Sequence, residues 1–266
     1  GLNEMLSMCS AFAQNYNVTF NATKTVGMCF GRRFDIEGYA ILNGVKIQWH
    51  EKVKHLGNVI TERLTDEADC TAKRSAFIGS VNRLLANFRH LDVNTRIKLF
   101  NSYCSSFYGA QMWNLECRGM SRVTTAWNRG VRALLRLPFT THRWLLGPLM
   151  NTLSLKRQFL LRSLNFLVSA VNSRNATVRA IMMAADARTD LGSNLAFFRC
   201  QYGICISPGV DVAGARRVVA SGEVLNEVEL GTVSACKELI SCIEGSSING
   251  LGPGENYALL NSLCCH

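Results

Sequence analysis

The dipeptide Asn43-Gly44 constrains the fold most strongly, because it separates two short runs in which apolar and polar residues alternate. Asn-Gly between such runs is typical of a β-hairpin, since a type I′ turn needs a positive φ at both central residues. Similar runs lie on either side of this hairpin, so we predict a small antiparallel β unit. The strands are expected at about residues 17–21, 25–31, 39–43, 45–49 and 53–60.

Apolar residues recur at helical spacing both before and after these strands. Residues 2–15 are predicted to form an amphipathic helix, and a long helix is expected from Thr65-Asp66-Glu67 to about Leu91. A second long helix, capped by Asp92, is expected from Val93 to about Leu115. Three shorter helices follow, the first capped by Ser121 and stopped by Pro138, the next beyond Pro148, and the last capped by Asn175. The residues expected to face the core are Phe77, Val81, Leu84, Leu85, Phe88, Ile97, Phe100, Cys104, Phe107, Val123, Trp127, Val131 and Leu134.

Positive charge is concentrated in the predicted helices. The net charge is +10, but residues 1–190 hold 25 Lys and Arg against 12 Asp and Glu, whereas residues 191–266 hold 4 against 7. The segment 70–163 holds 15 basic and only 2 acidic residues. Such a helical segment predicts a polyanionic partner, and we favour nucleic acid over a merely solvated basic face. The candidate nucleic-acid-binding residues on the first long helix are Lys73, Arg74, Arg83 and Arg89.

The cysteines and the hydropathy pattern bound the environment of the chain. Its 11 Cys are scattered without a Cys-x-x-Cys pair. The odd count and the lack of an export signal favour reduced thiols, and therefore an intracellular, reducing compartment such as the cytoplasm or nucleus. We expect most of them to be buried small hydrophobes, and Cys264-Cys265-His266 does not have the spacing of a zinc site unless it belongs to a longer motif. No apolar run approaches the ~18–20 residues that span a bilayer, so no membrane partner is expected.

Several short motifs, taken in order, carry a resemblance to a known family. They are the helical segment 2–16, Phe20-Asn21-Ala22-Thr23-Lys24-Thr25, the hairpin ending in Trp49, His55-Leu56-Gly57, and the segments 98–104 and 108–113. Together they resemble the C-terminal half of a reverse transcriptase of the non-LTR (LINE-type) retrotransposons. The resemblance covers about residues 1–165.

This resemblance implies an α+β chain with three parts. Residues 1–62 would be the C-terminal part of a polymerase palm, and residues 63–188 an α-helical thumb and connection. The basic excess ends near residue 188 and glycines become frequent, so residues 189–266 would form a small C-terminal region of unknown role. The implied partners are an RNA/DNA template–primer duplex and the upstream palm and fingers that this chain lacks.

The catalytic metal site that the resemblance implies is missing from the sequence. In the family, adjacent aspartates on a β-turn and a third from an earlier strand hold two divalent ions, which activate the primer 3′-hydroxyl. This chain contains no Asp-Asp, and the family's pair would lie upstream of Gly1. We therefore expect a fragment with no cofactor of its own and no activity alone, whereas the complete RNA-directed DNA polymerase would use Mg²⁺.

Lys24 is the candidate catalytic residue by the same resemblance. A lysine in this turn would approach the phosphates of the incoming nucleotide and neutralise the departing pyrophosphate. Asn21 suits an Asx-type turn that would orient it. The alternative is a solvated turn lysine.

The resemblance also implies that His55, Leu56 and Gly57 belong to a β-hairpin that holds the primer end. Gly57 would allow the close approach of a sugar-phosphate backbone, although the family more often has an aromatic residue at the position of His55. Two other functions stay open: a non-catalytic basic helical module derived from a decayed retroelement, and a helical scaffold that binds acidic proteins.

Overall fold

In the computed structural model, which describes residues 1–21, 24–31, 40–186, 188–222, 224–244 and 253–265, short strands are followed by a long series of helices. The predicted α+β class is confirmed. The chain divides into two compact units, Gly1–Asp69 and Cys70–His266. The boundaries proposed at residues 62 and 188 stay predictions.

The β structure of the first unit consists of separate strand pairs. The strands are β1 (Val26–Gly27), β2 (Ile41–Leu42), β3 (Val45–Lys46), β4 (Gln48–Trp49), β5 (Lys52–His55) and β6 (Asn58–Thr61). The predicted Asn43-Gly44 hairpin is confirmed: both residues have positive φ, and they join the antiparallel pair β2–β3. The pair β5–β6 is also antiparallel.

Three strand predictions are wrong in detail. Residues 17–21 form no strand, and Asn17 has a positive φ of 53°. The run 45–49 divides at the buried Ile47, because β3 pairs with β2 whereas β4 pairs with β1 in parallel. The run 53–60 is a hairpin rather than one strand, with its turn at Leu56-Gly57.

The predicted N-terminal helix is present as α1 (Leu2–Asn15), but most of its apolar face is exposed. Only Ala13 of this helix is buried. Leu6 packs against the small core of Ala40, Leu42 and Ile47.

Helices build the second unit around one apolar core. They are α2 (Glu67–Phe88, which begins in the first unit), α3 (Val93–Leu99), α4 (Arg118–Leu135), α5 (Arg143–Leu149), α6 (Leu155–Val171), α7 (Ala176–Ala184), α8 (Asp190–Tyr202), α9 (Val212–Ser221), α10 (Glu227–Glu244) and α11 (Pro253–Cys265). The centre of the core is aromatic, with Phe77, Phe100, Phe107, Trp127 and Phe159 in successive ring contacts. The core continues past residue 188 into Phe198, Val219 and Leu260.

Local signals placed most of these helices correctly. The Asp92 carboxylate accepts a hydrogen bond from the Thr95 N–H (3.0 Å), and Asn175 caps α7 in the same way. The predicted core residues are buried except for Leu85, which is half-buried, and Phe88, which is exposed.

Two helix boundaries differ from the prediction. Cys117, not Ser121, precedes the first turn of α4. The helix predicted to reach Leu115 ends after a π-helical turn over residues 100–104, because Phe107 and Gly109 have positive φ.

Candidate nucleic-acid interface

A basic groove lies between α2 and α4 on the second unit. We call it the α2–α4 groove, and its volume is about 790 Å³. Its floor is apolar, and its walls carry Arg74, Arg122 and Arg129. The remaining lining residues are Phe77, Ile78, Val81, Asn82, Leu85, Ser121, Thr125, Ala126, Gly130 and Ala133.

Small residues on α4 set the depth of this groove. A Cβ atom at Gly130 would lie 3.0 Å from the Phe77 ring and 3.4 Å from Val81, so only glycine allows this close approach of α2 side chains. Ala126 and Ala133 lie one turn to either side of it along the same wall. On the same helix, Arg122 and Arg129 are seven residues apart. They therefore project from the same side of α4, about 10 Å apart along its axis.

The charged side chains that the described residues place in the α2–α4 groove are all positive. Among the described residues that line it, three are arginines and none is acidic. Arg122 and Arg129 are exposed, and Arg74 is half-buried. Grooves that carry one sign of charge concentrate counter-ions of the other sign, so this one favours a polyanion.

A second groove, which we call the α4–α5 groove, adjoins the first and measures about 740 Å³. Thr125 and Arg129 line both grooves. The other lining residues are Asn128, Arg132, Phe139, Thr140, Thr141, His142, Arg143 and Trp144. No acidic side chain is present in the lining that the described residues supply.

Arg132 is the most constrained cation of the α4–α5 groove. Its Nη2 donates to the Thr141 carbonyl (2.6 Å), and its guanidinium carbon lies 5.8 Å from the centroid of the Phe139 ring. Burial lowers the pKa of Arg132, and the positive charge of Arg143 lowers it further. The two arginines repel each other, and an anion between them would relieve that repulsion.

Of the four basic residues predicted on α2, the structure places only Arg74 in the α2–α4 groove. Arg89 lies at a different cleft with Arg136, and neither Lys73 nor Arg83 lines any of these clefts. Residues three to four apart share a helical face, so Arg74 is followed along the groove by Ile78, not by Arg83. The structure does not bring the four candidate residues together in one groove.

Three arginines of the basic segment serve the fold. Arg96 is 1% exposed and donates to the carbonyls of Leu91 (3.0 Å) and Leu134 (2.7 Å). Arg157 donates to the Tyr202 hydroxyl (2.9 Å). Arg162 donates to the Ser106 carbonyl (2.6 Å), and its burial lowers its pKa. The segment therefore has less charge available for a partner than its composition indicates.

In the first unit, Lys24 lies in a turn that begins at Asn21. The Lys24 N–H donates to both the side-chain and the backbone oxygen of Asn21 (3.1 Å each), so the predicted Asx-type interaction is present. The Lys24 side chain is exposed. Two other residues of this motif, Ala22 and Thr23, lie outside the described residues.

The predicted primer contact is the tip of the β5–β6 hairpin. Leu56 and Gly57 form its turn with φ of 46° and 81°. Leu56 is 75% exposed, and His55 and Gly57 are also exposed. An apolar side chain held in the left-handed region at a loop tip is unusual, because L-residues other than Asn and Asp seldom adopt it.

Sequence reasoning missed Arg122, Arg129 and Arg132 on α4 and the exposed Phe139. The available signal was the seven-residue spacing of Arg122 and Arg129, with only small or polar side chains on the same face between them.

Potential metal ligands do not cluster in threes in the part of the chain that the structure describes. Nowhere in the described ranges do three or more His, Cys, Asp or Glu side chains come together to hold a metal ion. Of the terminal Cys264-Cys265-His266, the histidine lies outside the described residues, and Cys264 contacts Cys236 instead (Sγ–Sγ 3.5 Å).

The expectation that most cysteines are buried is wrong for the described residues, since only Cys70, Cys104, Cys236 and Cys264 of the ten described cysteines are buried. None of the described helices is both long enough and apolar enough to cross a bilayer.

Comparison with known proteins gives one informative similarity. The chain is 29% identical over 123 residues to the RNA-directed DNA polymerase from mobile element jockey of Drosophila melanogaster. The match covers 44% of this chain and 13% of that protein. It supports a relationship to the reverse transcriptases of non-LTR retrotransposons. No protein-family model matches the chain, and no solved structure matches it.

Proposed function

We propose that this chain is the C-terminal part of an RNA-directed DNA polymerase and that its helical unit holds a template–primer duplex in the α2–α4 groove. The observation that carries the proposal is the lining of the groove, in which the described residues include Arg74, Arg122 and Arg129 and no Asp or Glu. The similarity to the jockey polymerase supports nucleic acid as the polyanion.

Spacing along α4 suits a phosphate backbone. Arg122 and Arg129 are about 10 Å apart along the helix axis, and one DNA strand carries a phosphate about every 3.4 Å along its own axis. The two guanidinium groups would therefore contact phosphates about three nucleotides apart on one strand. Such contacts position a duplex without reading its sequence.

The salt dependence of duplex binding tests this proposal. If about five phosphates are neutralised, the plot of log K against log salt concentration has a slope of about −4 to −5 on a DNA duplex. Arg129→Ala is expected to weaken binding to all duplex sequences and to flatten the slope by about one. The matched control is Arg217→Ala on α9, an exposed arginine outside the groove, which is expected to leave the slope unchanged. A slope near zero, or equal effects of the two substitutions, would contradict the proposal.

A competing function is the binding of acidic proteins. In that case heparin would compete as well as a duplex of the same charge, and Arg129→Ala would weaken both equally. We expect duplex to bind more tightly than heparin, because the groove is built as an elongated cleft along two helices.

We further propose that the chain is inactive alone and that Lys24 assists nucleotide addition in a longer chain that includes the upstream palm. Primer extension with Mg²⁺ and deoxynucleoside triphosphates is expected to fail with the present chain. In the longer chain, Lys24→Ala is expected to slow single-turnover nucleotide addition by ~10²-fold or more, within the range for general acids. It should leave duplex affinity almost unchanged. If the rate is unaltered, Lys24 is only a solvated turn residue.

A further inference from the structure

The α4–α5 groove combines aromatic surface with positive charge. Phe139 is 76% exposed and Trp144 is 37% exposed, although both are large aromatic side chains. Arg129, Arg132 and Arg143 surround them in the same groove. Its volume of about 740 Å³ lies within the ~300–1,000 Å³ that small-ligand sites occupy.

This combination is the one that unpaired nucleotides need. Every base has a π-face that stacks on an aromatic ring, and the phosphate beside it is neutralised by a basic side chain. Arg132 is fixed by its hydrogen bond to the Thr141 carbonyl and lies near the Phe139 ring, an arrangement that restrains the ring by a cation–π contact. The exposed part of the Phe139 ring is left available for a base.

The position of the groove indicates how a strand would reach it. Arg129 and Thr125 line both grooves, so a strand that leaves the duplex site along α4 passes Arg129 and enters the α4–α5 groove. A base inside a duplex is stacked on both faces by its neighbours, so neither face is free to stack on Phe139. A nucleotide beyond the end of the duplex has a free face, and we take it as the occupant.

We propose that the α4–α5 groove binds one unpaired nucleotide of an overhanging strand, with its base stacked on Phe139 and its phosphate held by Arg129 and Arg143. Trp144 forms the neighbouring wall. This inference rests on the proposed function for the duplex that precedes the overhang, but the contact itself is a separate site.

The test compares a blunt DNA duplex with the same duplex carrying a single-stranded extension of three thymidines, by fluorescence anisotropy at fixed salt. The wild-type chain is expected to bind the extended duplex about tenfold more tightly, which is within the range for stacking one base. Phe139→Ala is expected to abolish this gain while leaving affinity for the blunt duplex unchanged. Phe139→Leu, which keeps the bulk but removes the ring, is also expected to lose the gain.

Two controls separate stacking from charge. Tyr103→Ala removes another exposed aromatic side chain, outside both grooves, and is expected to keep the full gain. Arg143→Ala is expected to reduce the gain and to make the remainder less sensitive to salt, because one phosphate contact is lost.

The outcomes distinguish this inference from the proposed function. Equal affinity for blunt and extended duplexes, or a gain that survives in Phe139→Ala, would overturn the inference while leaving the duplex site intact. If the blunt duplex does not bind at all, the proposed function fails. In that case the test uses a single strand of five thymidines. If wild type binds this strand and Phe139→Ala does not, the nucleotide site is supported without the duplex site. If wild type does not bind the strand, the proposed nucleotide site is overturned.

Discussion

The two units of this chain differ in how completely they bury their apolar side chains. The helical unit surrounds fully buried rings such as Trp127 and Phe100, whereas the core formed by the described residues of the first unit has three buried members. On α1, Met5, Met8 and Phe12 are exposed within the described part of that unit. An apolar surface of this kind is typical of a region that contacts another protein segment.

This difference separates two kinds of binding surface. In the helical unit most apolar side chains pack into one core, and the charged side chains that the described residues place in its two grooves are arginines, which suits the proposed nucleic-acid partner. In the first unit the exposed face of α1 is apolar, since it presents Met5, Met8 and Phe12. The two units therefore differ in how well their apolar side chains are packed. Three substitutions test this difference, and they follow from the largest to the smallest expected change in stability.

The largest effect is expected at the centre of the helical core. Trp127 is 1% exposed, contacts the Phe100 ring at 6.3 Å and donates from Nε1 to the Ser105 hydroxyl (3.3 Å). Trp127→Ala should lower the free energy of unfolding by about 3–5 kcal/mol, because it leaves a large cavity and an unpaired hydroxyl. The change in the free energy of unfolding is measured by urea denaturation and by hydrogen exchange of the amides in α4. A loss below about 1 kcal/mol would mean that the core is not well packed.

An intermediate effect is expected where α2 and α4 meet. Gly130→Val places side-chain atoms against the Phe77 ring and should cost about 1–3 kcal/mol in unfolding free energy through overpacking. The matched control is Gly79→Ala on α2, where an added Cβ would meet no atom within 4 Å. Because alanine favours helix, that control should stabilise the chain by about 0.4–1 kcal/mol. If both changes had the same sign, close packing at Gly130 would be disproved.

The smallest effect is expected at the hairpin tip of the first unit. Leu56 has a φ of 46°, a conformation that costs most L-residues about 1–2 kcal/mol but that asparagine tolerates. Leu56→Asn should therefore slow amide exchange in β5 and β6 by an amount that corresponds to about 1 kcal/mol. Leu56→Ala keeps the conformational cost and serves as the control. No difference between the two variants would show that the turn is not strained.

Local structure was predictable because its causes lie within a few residues. Asn43-Gly44 forms its hairpin, Asp92 and Asn175 cap their helices, and Asn21 orients the Lys24 turn, as expected. Each of these interactions joins positions two to four residues apart. The residue pattern alone predicted one strand over 53–60, since leucine is not a turn residue, and only the family resemblance indicated the hairpin at Leu56-Gly57.

The sequence by itself determined the α+β class, the turns and caps, and most of the core faces of the helices. Only the tertiary structure decided which charges are available for binding, because helix packing sets the direction that each side chain takes. It buried Arg96 against the carbonyl of Leu134, 38 residues away, and brought Arg74 of α2 opposite Arg129 of α4. The periodicity of a single helix defines a face. What that face meets depends on contacts between residues far apart in the chain.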